Sequence, residues 1–459
     1  MTEIRDRDRL AATEARDVAL DCLEAGIEAG HPRTVVRDAV SLEDGTLRIA
    51  DAAYDLDEYD EVVVLGGGNA AAHVAATLEE LLGDRIDRGI VVTDDPVATE
   101  RVAVREGDHP VPSERGVEAT RELLAEADAA DEDALVLAAI TGGGSALMPA
   151  PAGDVSLADL QATTDDLLAS GADIGEINAV RKHLSALKGG RLARRAAPAT
   201  VASLILSDVV GNDLSVIASG PVAPDASTFD DALAVLDRYE IDAPAAVSDR
   251  LERGAAGEVS ETPGPDDPAF ERVSNHVVAD GMTVLEAARE AAAERGYEPL
   301  VLSSRVRGEA RDAATAHVAI AEEVRATGTP VEPPAVLLSG GETTVTLRGD
   351  GTGGPNQEFA TSAALELAGD SRGEDSGESG NGTGNESSIT VAAVDTDGID
   401  GASDAAGAIV DETTVDEPAA ARQALAENDV YPYLDERNGL LLTGPTGTNL
   451  NDLRVLVVE

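Results

Sequence analysis

The 459-residue sequence predicts an α/β protein of two α/β/α domains with mainly parallel sheets. The first observation is a series of short, β-branched runs without polar alternation, at residues 61–65, 134–140 and 201–206. Such runs are typical of strands that are covered on both faces. Helical segments separate the runs, and glycine-rich turns follow several of them. This order of elements indicates parallel strands flanked by helices.

A shift in composition predicts where the domains meet. We expect a Rossmann-like N-terminal domain over residues 1–250, which opens with an amphipathic helix. A linker or exposed loop rich in Gly, Pro, Asp and Glu follows at residues 251–272. The second α/β domain covers residues 273–459 and contains a low-complexity surface insertion at residues 369–388.

The charge excludes several classes of protein. The chain has 34 Lys and Arg against 88 Asp and Glu, a net charge of −54, which would repel the phosphate backbone of a nucleic acid. Most of these carboxylates are expected to form a solvated shell, as in proteins of extreme halophiles. A single cysteine, Cys22, excludes an intrachain disulfide, and no apolar run reaches the ~20 residues of a membrane span. We therefore expect a cytoplasmic protein with no nucleic-acid or membrane partner.

The first glycine turn follows a predicted strand and has the form G-x-G-x-x-A. Gly66, Gly67, Gly68 and Asn69 are candidates to hold a phosphate through backbone amides at the start of a helix. Asp94, after the next strand, could bind a ribose. The alternative is that these glycines serve only close packing between strand and helix.

A second glycine turn repeats this arrangement. Gly142, Gly143 and Gly144 would let the backbone approach a ligand, and Ser145 could contact that ligand or cap the following helix. A serine nucleophile is disfavoured because the G-x-S-x-G pattern fails at Leu147.

The segment 176–188 contains the only two lysines of the chain, Lys182 and Lys188. We predict one helix that ends at Gly189, with an apolar stripe on one side and a polar face on the other. An ammonium group is a natural partner of phosphate, so the retention of both lysines beside Arg181 indicates a functional site. The alternative is a solvated basic face. The polar face consists of Asn178, Arg181, Lys182, Ser185 and Lys188.

Carboxylates at the ends of predicted strands are further candidates. Asp208 follows the run 201–206, where it could hold Mg²⁺, accept a hydroxyl proton or cap the next turn. In the second domain, Glu342 and Asp397 lie in glycine-rich turns that are either divalent-ion sites or surface turns.

Several longer motifs together resemble the glycerate 2-kinase family, which joins an N-terminal kinase-associated domain to a C-terminal domain named MOFRL. The resemblance implies transfer of phosphate from ATP, with Mg²⁺, to the 2-hydroxyl of D-glycerate. It departs at Asn69 and Pro355, where many members carry lysine and arginine. The motifs are residues 141–145, 178–185, 188–193, 207–208, 219–221 and 356–358, with 395–401 and 443–449 in the MOFRL part.

This resemblance completes the expected site. Arg181, Lys182, Lys188 and Asp208 are the candidate catalytic residues. Asp208, Glu342 and Asp397 are the candidate Mg²⁺ ligands. The two glycine turns are expected to bind ATP or D-glycerate, together with Asn356, Gln357 and Glu358.

Two other functions remain open, as does the oligomeric state, for which a homodimer is one option. An NAD(P)H-dependent hydroxypyruvate reductase would use Asp94 for the cofactor and either His73 or His183 as the proton donor. A ligand-binding protein without catalysis is the other alternative.

Overall fold

The computed structural model describes residues 4–370 and 388–459, which form two compact units. We call Pro32–Val278 the inserted unit and Met1–His31 with Ala279–Glu459 the flanking unit. The predicted insertion at residues 369–388 lies outside the described residues except at its two ends. Within the described part of the chain, no helix has both the length and the apolar character needed to cross a membrane.

Residues 4–370 and 388–459 contain fifteen strands and sixteen α-helices. The strands are β1 (Val40–Glu43), β2 (Thr46–Ile49), β3 (Ala52–Asp55), β4 (Glu61–Gly67), β5 (Arg88–Thr93), β6 (Val102–Glu106), β7 (Ala134–Thr141), β8 (Thr200–Leu206), β9 (Val273–Ala279), β10 (Glu298–Glu309), β11 (Ala335–Thr344), β12 (Ile389–Asp395), β13 (Gly407–Asp411), β14 (Leu440–Leu441) and β15 (Asp452–Val458). The helices are α1 (Arg7–Leu10), α2 (Glu14–Gly30), α3 (Pro32–Ala39), α4 (Ala71–Leu82), α5 (Glu114–Asp128), α6 (Gly144–Leu147), α7 (Leu157–Ser170), α8 (Ile174–His183), α9 (Arg191–Ala196), α10 (Phe229–Arg238), α11 (Ala245–Ala255), α12 (Gly281–Glu294), α13 (Ala310–Thr327), α14 (Pro355–Asp370), α15 (Pro418–Ala426) and α16 (Val430–Asp435).

The inserted unit contains the predicted parallel sheet. Its strand order is β6-β5-β4-β7-β8-β9, and β4 pairs in parallel with both β5 and β7. All residues of β7 are buried, which explains why its sequence shows no alternation. The chain leaves β4 towards β6 on one side and continues from β7 to β8 on the other. The strand order therefore reverses between β4 and β7, the place where open α/β sheets bind ligands.

The flanking unit is also α/β, but its sheet is mostly antiparallel, contrary to the prediction. The strand order is β10-β11-β15-β12-β13-β14, and only the pair β10–β11 is parallel. The last strand of the chain, β15, lies between β11 and β12 and is buried along its whole length. A strand buried on both faces is apolar whichever way it runs, so its direction is not visible in the sequence.

The compact units divide the chain at other points than the predicted domain boundaries. Helix α2 packs in the flanking unit, where Gly26 lies against Val284 and Leu453. Residues 251–272, expected to be a linker, belong to the inserted unit and include a 3₁₀ turn at Pro268–Phe270. Composition indicates where a chain is polar, but not against which unit a helix packs.

We expect Gly26→Val to destabilise the flanking unit. A Cβ at Gly26 would lie 2.6 Å from Leu453 Cδ2 and 2.9 Å from Val284 Cγ1, so α2 would be pushed away from the sheet. Overpacking of this kind costs ~1–3 kcal/mol, measurable as the free energy of unfolding by denaturant titration in concentrated KCl. The control is Gly369→Ala in α14, where nothing lies within 4 Å of an added Cβ. Equal stability of Gly26→Val and the parent would contradict this packing.

Candidate active site

The two glycine turns lie side by side at the carboxyl ends of β4 and β7. The Asn69 N–H donates to the Gly142 carbonyl at 2.9 Å, and the Ala70 N–H donates to Thr141 Oγ1 at 3.2 Å. The Gly68 N–H donates to the Val92 carbonyl at 3.0 Å. These amides are therefore occupied by the protein itself. At the first turn the structure favours the packing alternative over the predicted phosphate cradle.

Glycine is required at Gly66 because β4 and β7 approach each other closely there. Its φ is +153°, and a Cβ would overlap the backbone of Ala139. The side chain of Asn69 continues this packing. Its Nδ2 donates to both carboxylate oxygens of Asp94, at 3.0 and 2.9 Å, and its Oδ1 lies over Gly143. Asp94, the predicted ribose ligand, is thus held by Asn69.

The backbone N–H groups of the second turn, unlike those of the first, are not used within the protein. Among the described residues, none accepts a hydrogen bond from the backbone N–H of Gly142, Gly143, Gly144 or Ser145. Gly143 has a φ of +74°, which lets the chain turn sharply into α6. Consecutive free amides in such a turn form a concave anion-binding surface. Of the two predicted phosphate-binding turns, the second is therefore the one with N–H donors available for a ligand.

Helix α8 is shorter than predicted. It begins at Ile174, after a capping box formed by Asp173 and Glu176, and ends at His183. Beyond it the Ala186 N–H donates to the Ala150 carbonyl, and Lys188 lies in a turn rather than on the helix. The predicted helix end at Gly189 is wrong because these tertiary hydrogen bonds replace the helical ones.

Lys188 is 6 % exposed and heads a directed chain of hydrogen bonds. Its Nζ donates to the carbonyl and to Oγ of Ser145, the latter at 3.0 Å. Ser145 Oγ lies 2.9 Å from Ser219 Oγ, which donates to Asn178 Oδ1 at 3.0 Å. Since the Ser219 hydroxyl donates to Asn178, it must accept from Ser145. The chain therefore runs from Lys188 through both serines to Asn178.

Lys188 is a buried cation and Arg181 is a half-buried one. No salt bridge joins either one to an acid among the residues that the structure describes. Burial, followed by the neighbouring charge of Arg181, lowers the pKa of Lys188 to about 7. Burial likewise lowers the pKa of Arg181. Both groups are thus held where an anion would stabilise their charge.

Lys182 differs from its neighbours. Its Nζ lies 3.1 Å from Asp225 Oδ1, and the two side chains are 7 % and 1 % exposed. The sequence predicted Lys182 as a catalytic cation on the polar face of the helix, and it did not reveal this partner, which lies 43 positions further along the chain. The ion pair indicates a structural contribution for Lys182.

Two further predicted residues of the inserted unit are Asp208 and His183. Asp208, after β8, is so close to Gly142 that a Cβ on this glycine would overlap its carboxylate. His183 is fully buried, its Nδ1 donates to the Ala179 carbonyl at 2.6 Å, its Nε2 lies 3.0 Å from the Glu261 carboxylate, and its ring packs edge-on against Phe229. This packing disfavours His183 as a proton donor.

In the flanking unit, residues 356–358 hold the start of α14 in place. Asp400 accepts the N–H groups of Asn356 and Gln357, both at 2.9 Å, and Arg311 Nε donates to Glu358 at 2.6 Å. All three side chains of the motif are buried. Burial raises the pKa of Asp400 to about 6. These contacts connect α14 with the 395–401 turn, while Asn356 Oδ1 and Gln357 Oε1 are buried and have no hydrogen-bond partner in the described part of the chain.

Glu342 and Asp397 lie at one edge of the flanking unit's sheet, together with Asp395 and Asp452. Burial and the charge of Asp397 raise the pKa of Asp395 well above its ordinary range. In the described ranges, no group of three or more His, Cys, Asp or Glu side chains is arranged to hold a metal ion. The assignment of Glu342 and Asp397 to Mg²⁺ stays a prediction.

Sequence reasoning overlooked how Ser219 and Asn178 are used. Ser219 stood in a recognised motif, but its left-handed backbone, with a φ of +60° beside Ala218 at +49°, is not visible in a sequence. Non-glycine residues in this region are strained and are concentrated at functional sites. This conformation brings the Ser219 hydroxyl between Ser145 and Asn178.

The lowered pKa of Lys188 predicts how stability depends on pH. Between about 7 and the ordinary value of 10.5, the unfolded chain keeps a proton that the folded chain lacks. The contribution of Lys188 to the free energy of unfolding should therefore rise with pH in this window. Unfolding titrations of the parent and Lys188→Met, from pH 7 to pH 10, measure this contribution as their difference. A difference that is flat or falls with pH would disprove the assigned environment.

Comparisons with known proteins agree with this architecture. Residues 18–252 match the family described as Domain of unknown function (DUF4147), and residues 335–452 match the MOFRL family. A "Glycerate 2-kinase" of Pyrococcus horikoshii is 38 % identical, over 98 % of each chain. A "Putative hydroxypyruvate reductase" of Agrobacterium vitis is 42 % identical, over 86 % of this chain and 87 % of that protein.

A crystal structure of glycerate kinase from Thermotoga maritima has the same fold. It superimposes with a TM-score of 0.82 at 36 % identity, over 96 % of this chain and 99 % of the other. Full-length similarity of sequence and structure, with both family domains present, leads to one assignment. This chain belongs to the glycerate 2-kinase family.

Proposed function

We propose that this protein is a kinase that transfers the γ-phosphoryl group of ATP to the 2-hydroxyl of D-glycerate and releases 2-phosphoglycerate. Membership of the glycerate 2-kinase family supports the reaction. The observation in this chain that carries the proposal is the buried Lys188 with the half-buried Arg181, two cations without a salt bridge among the described residues, in the unit that also holds the free amides of the second glycine turn.

The energetics of these cations favour an anionic ligand. Burying a charge without a partner is costly, and this chain has 88 acidic residues from which a partner could have come. A bound phosphate or carboxylate would supply the missing negative charge. Phosphoryl transfer depends mainly on such neutralisation and on positioning.

In this proposal the second glycine turn, Lys188 and Asp208 each have a different role in phosphoryl transfer. The amides of Gly142 to Ser145 bind phosphate oxygens, and Lys188 neutralises the group in transfer. The 2-hydroxyl oxygen forms a bond to the γ-phosphorus while the bond to the bridging oxygen of ADP breaks. The proton of this hydroxyl leaves to a base, and the Asp208 carboxylate at the sheet edge is the candidate.

Mg²⁺ is part of the proposal. Kinase sites commonly bind it through one or two carboxylates and the phosphates of the nucleotide, so a preformed cage of protein ligands is not needed. The Asp208 carboxylate beside the second turn is the candidate ligand in this mode, as the alternative to its use as the base. When bound, the ion would neutralise charge on the phosphates.

The acidic, halophile-like composition supports a cytoplasmic location.

The purified full-length protein, given Mg-ATP and D-glycerate in concentrated KCl, should produce 2-phosphoglycerate. Lys188→Met and Arg181→Gln should each lower kcat/KM at least about tenfold, or ~1.4 kcal/mol, because charge neutralisation is lost. Hydroxypyruvate with NADH or NADPH is the matched assay for the reductase alternative. Oxidation of the cofactor without 2-phosphoglycerate would overturn the proposal, and inactivity in both assays would favour a ligand-binding protein.

The ion pair of Lys182 and Asp225 predicts a different response. Lys182→Met should leave Asp225 as a buried, uncompensated carboxylate and lower stability and activity together. The double variant with Asp225→Leu should recover much of both, because the two charges are removed together. Thermal unfolding and kcat/KM measure the two effects. If the double variant regains stability but no activity, Lys182 takes part in catalysis directly.

A further inference from the structure

The side-chain amide of Asn178 is an unused hydrogen-bond donor in the inserted unit. Asn178 is 3 % exposed, and its Nδ2 has no partner in the described part of the chain. A buried polar group without a partner destabilises a fold, so native proteins retain few of them. A ligand oxygen would satisfy this donor.

The orientation of the amide follows from its neighbours. Ser219 donates to Asn178 Oδ1, and Ser219 itself accepts from Ser145, which accepts from Lys188. With the amide turned over, its NH₂ group would donate to Ser219, Ser219 would donate to Ser145, and the Ser145 proton would have no acceptor among the described residues. The Nδ2 group is therefore the end that is kept free.

Arg181 lies next to this amide. Asn178 and Arg181 are three residues apart on α8, so they occupy one face of the helix. Arg181 has no acid partner among the described residues, and burial lowers its pKa. A guanidinium group beside an amide NH₂ presents several donors to a planar group with two oxygens, and a carboxylate is such a group.

We propose that Asn178 is a specificity-determining residue which, with Arg181, binds the carboxylate of the acceptor substrate. This inference rests on the proposed function, because it assigns the D-glycerate end of the same site. The free amides of the second turn and Lys188 then remain for phosphate oxygens. Lys188, Ser145 and Ser219 act as positioning residues for Asn178 through the hydrogen-bond chain.

The test compares D-glycerate with its neutral carboxamide, D-glyceramide, as acceptors. Asn178→Asp retains the oxygen that accepts from Ser219 but replaces the NH₂ donor with a negative oxygen. We expect the ratio of kcat/KM for the acid to that for the amide to fall about tenfold or more. Asn178→Ala should raise KM for D-glycerate by a similar factor and leave KM for ATP within about twofold.

Two further variants separate recognition from folding. Ser219→Ala frees the amide to turn over, so KM for D-glycerate should rise less than in Asn178→Ala. Asn275→Ala is the matched control, because both ends of Asn275 are bonded within the protein, to Ser203 and to the Val222 carbonyl. This control should alter thermal stability and leave both the acid-to-amide ratio and KM unchanged.

The outcomes distinguish this inference from the proposed function. If the parent protein forms no 2-phosphoglycerate, the proposed function is wrong. If the parent is active but the acid-to-amide ratio is unchanged in folded Asn178→Asp, the inference is wrong. A rise in KM for ATP alone would also overturn it, since Asn178 would then serve the nucleotide.

Discussion

Lys188, a buried cation, and Arg181, a half-buried one, constrain the rest of the inserted unit. In a chain with a net charge of −54, exposed cations are readily paired with acids, as the ion pair of Arg115 with Asp108 shows. Among the described residues, no salt bridge joins Lys188 or Arg181 to an acid. A bound anion would stabilise their charge, which would connect the fold directly to ligand binding.

The parallel sheet determines where these cations lie. Because the strand order reverses between β4 and β7, the turns after these strands are adjacent, and each takes a different task. The first turn is bonded to the second and supports it. The backbone N–H groups of the second turn have no acceptor among the described residues, and its Ser145 Oγ accepts a hydrogen bond from Lys188 Nζ. The first turn thus fixes the position of the second turn, and the second turn has the unpaired N–H donors.

In the flanking unit, several buried polar residues form hydrogen bonds within the protein. Asp400 binds the first amides of α14, and Arg454, which is fully buried, contacts Asp452 and Thr343. Such charged hydrogen bonds orient backbone segments that hydrophobic packing alone leaves free. The Asn356 to Glu358 motif therefore contributes to structure in this unit, and the ligand binding that the resemblance implies for it stays a prediction.

Local periodicity and contiguous motifs were enough to predict the α/β class, the parallel sheet of the inserted unit and the family. The amino-acid composition also directed attention to Lys188, since a lysine is rare in this chain. The antiparallel order around β15, the pairing of Lys182 with Asp225 and the unpaired Nδ2 of Asn178 became visible in the folded structure alone. Each of these joins segments far apart in the chain or depends on backbone conformation, and neither is encoded in the pattern of neighbouring residues.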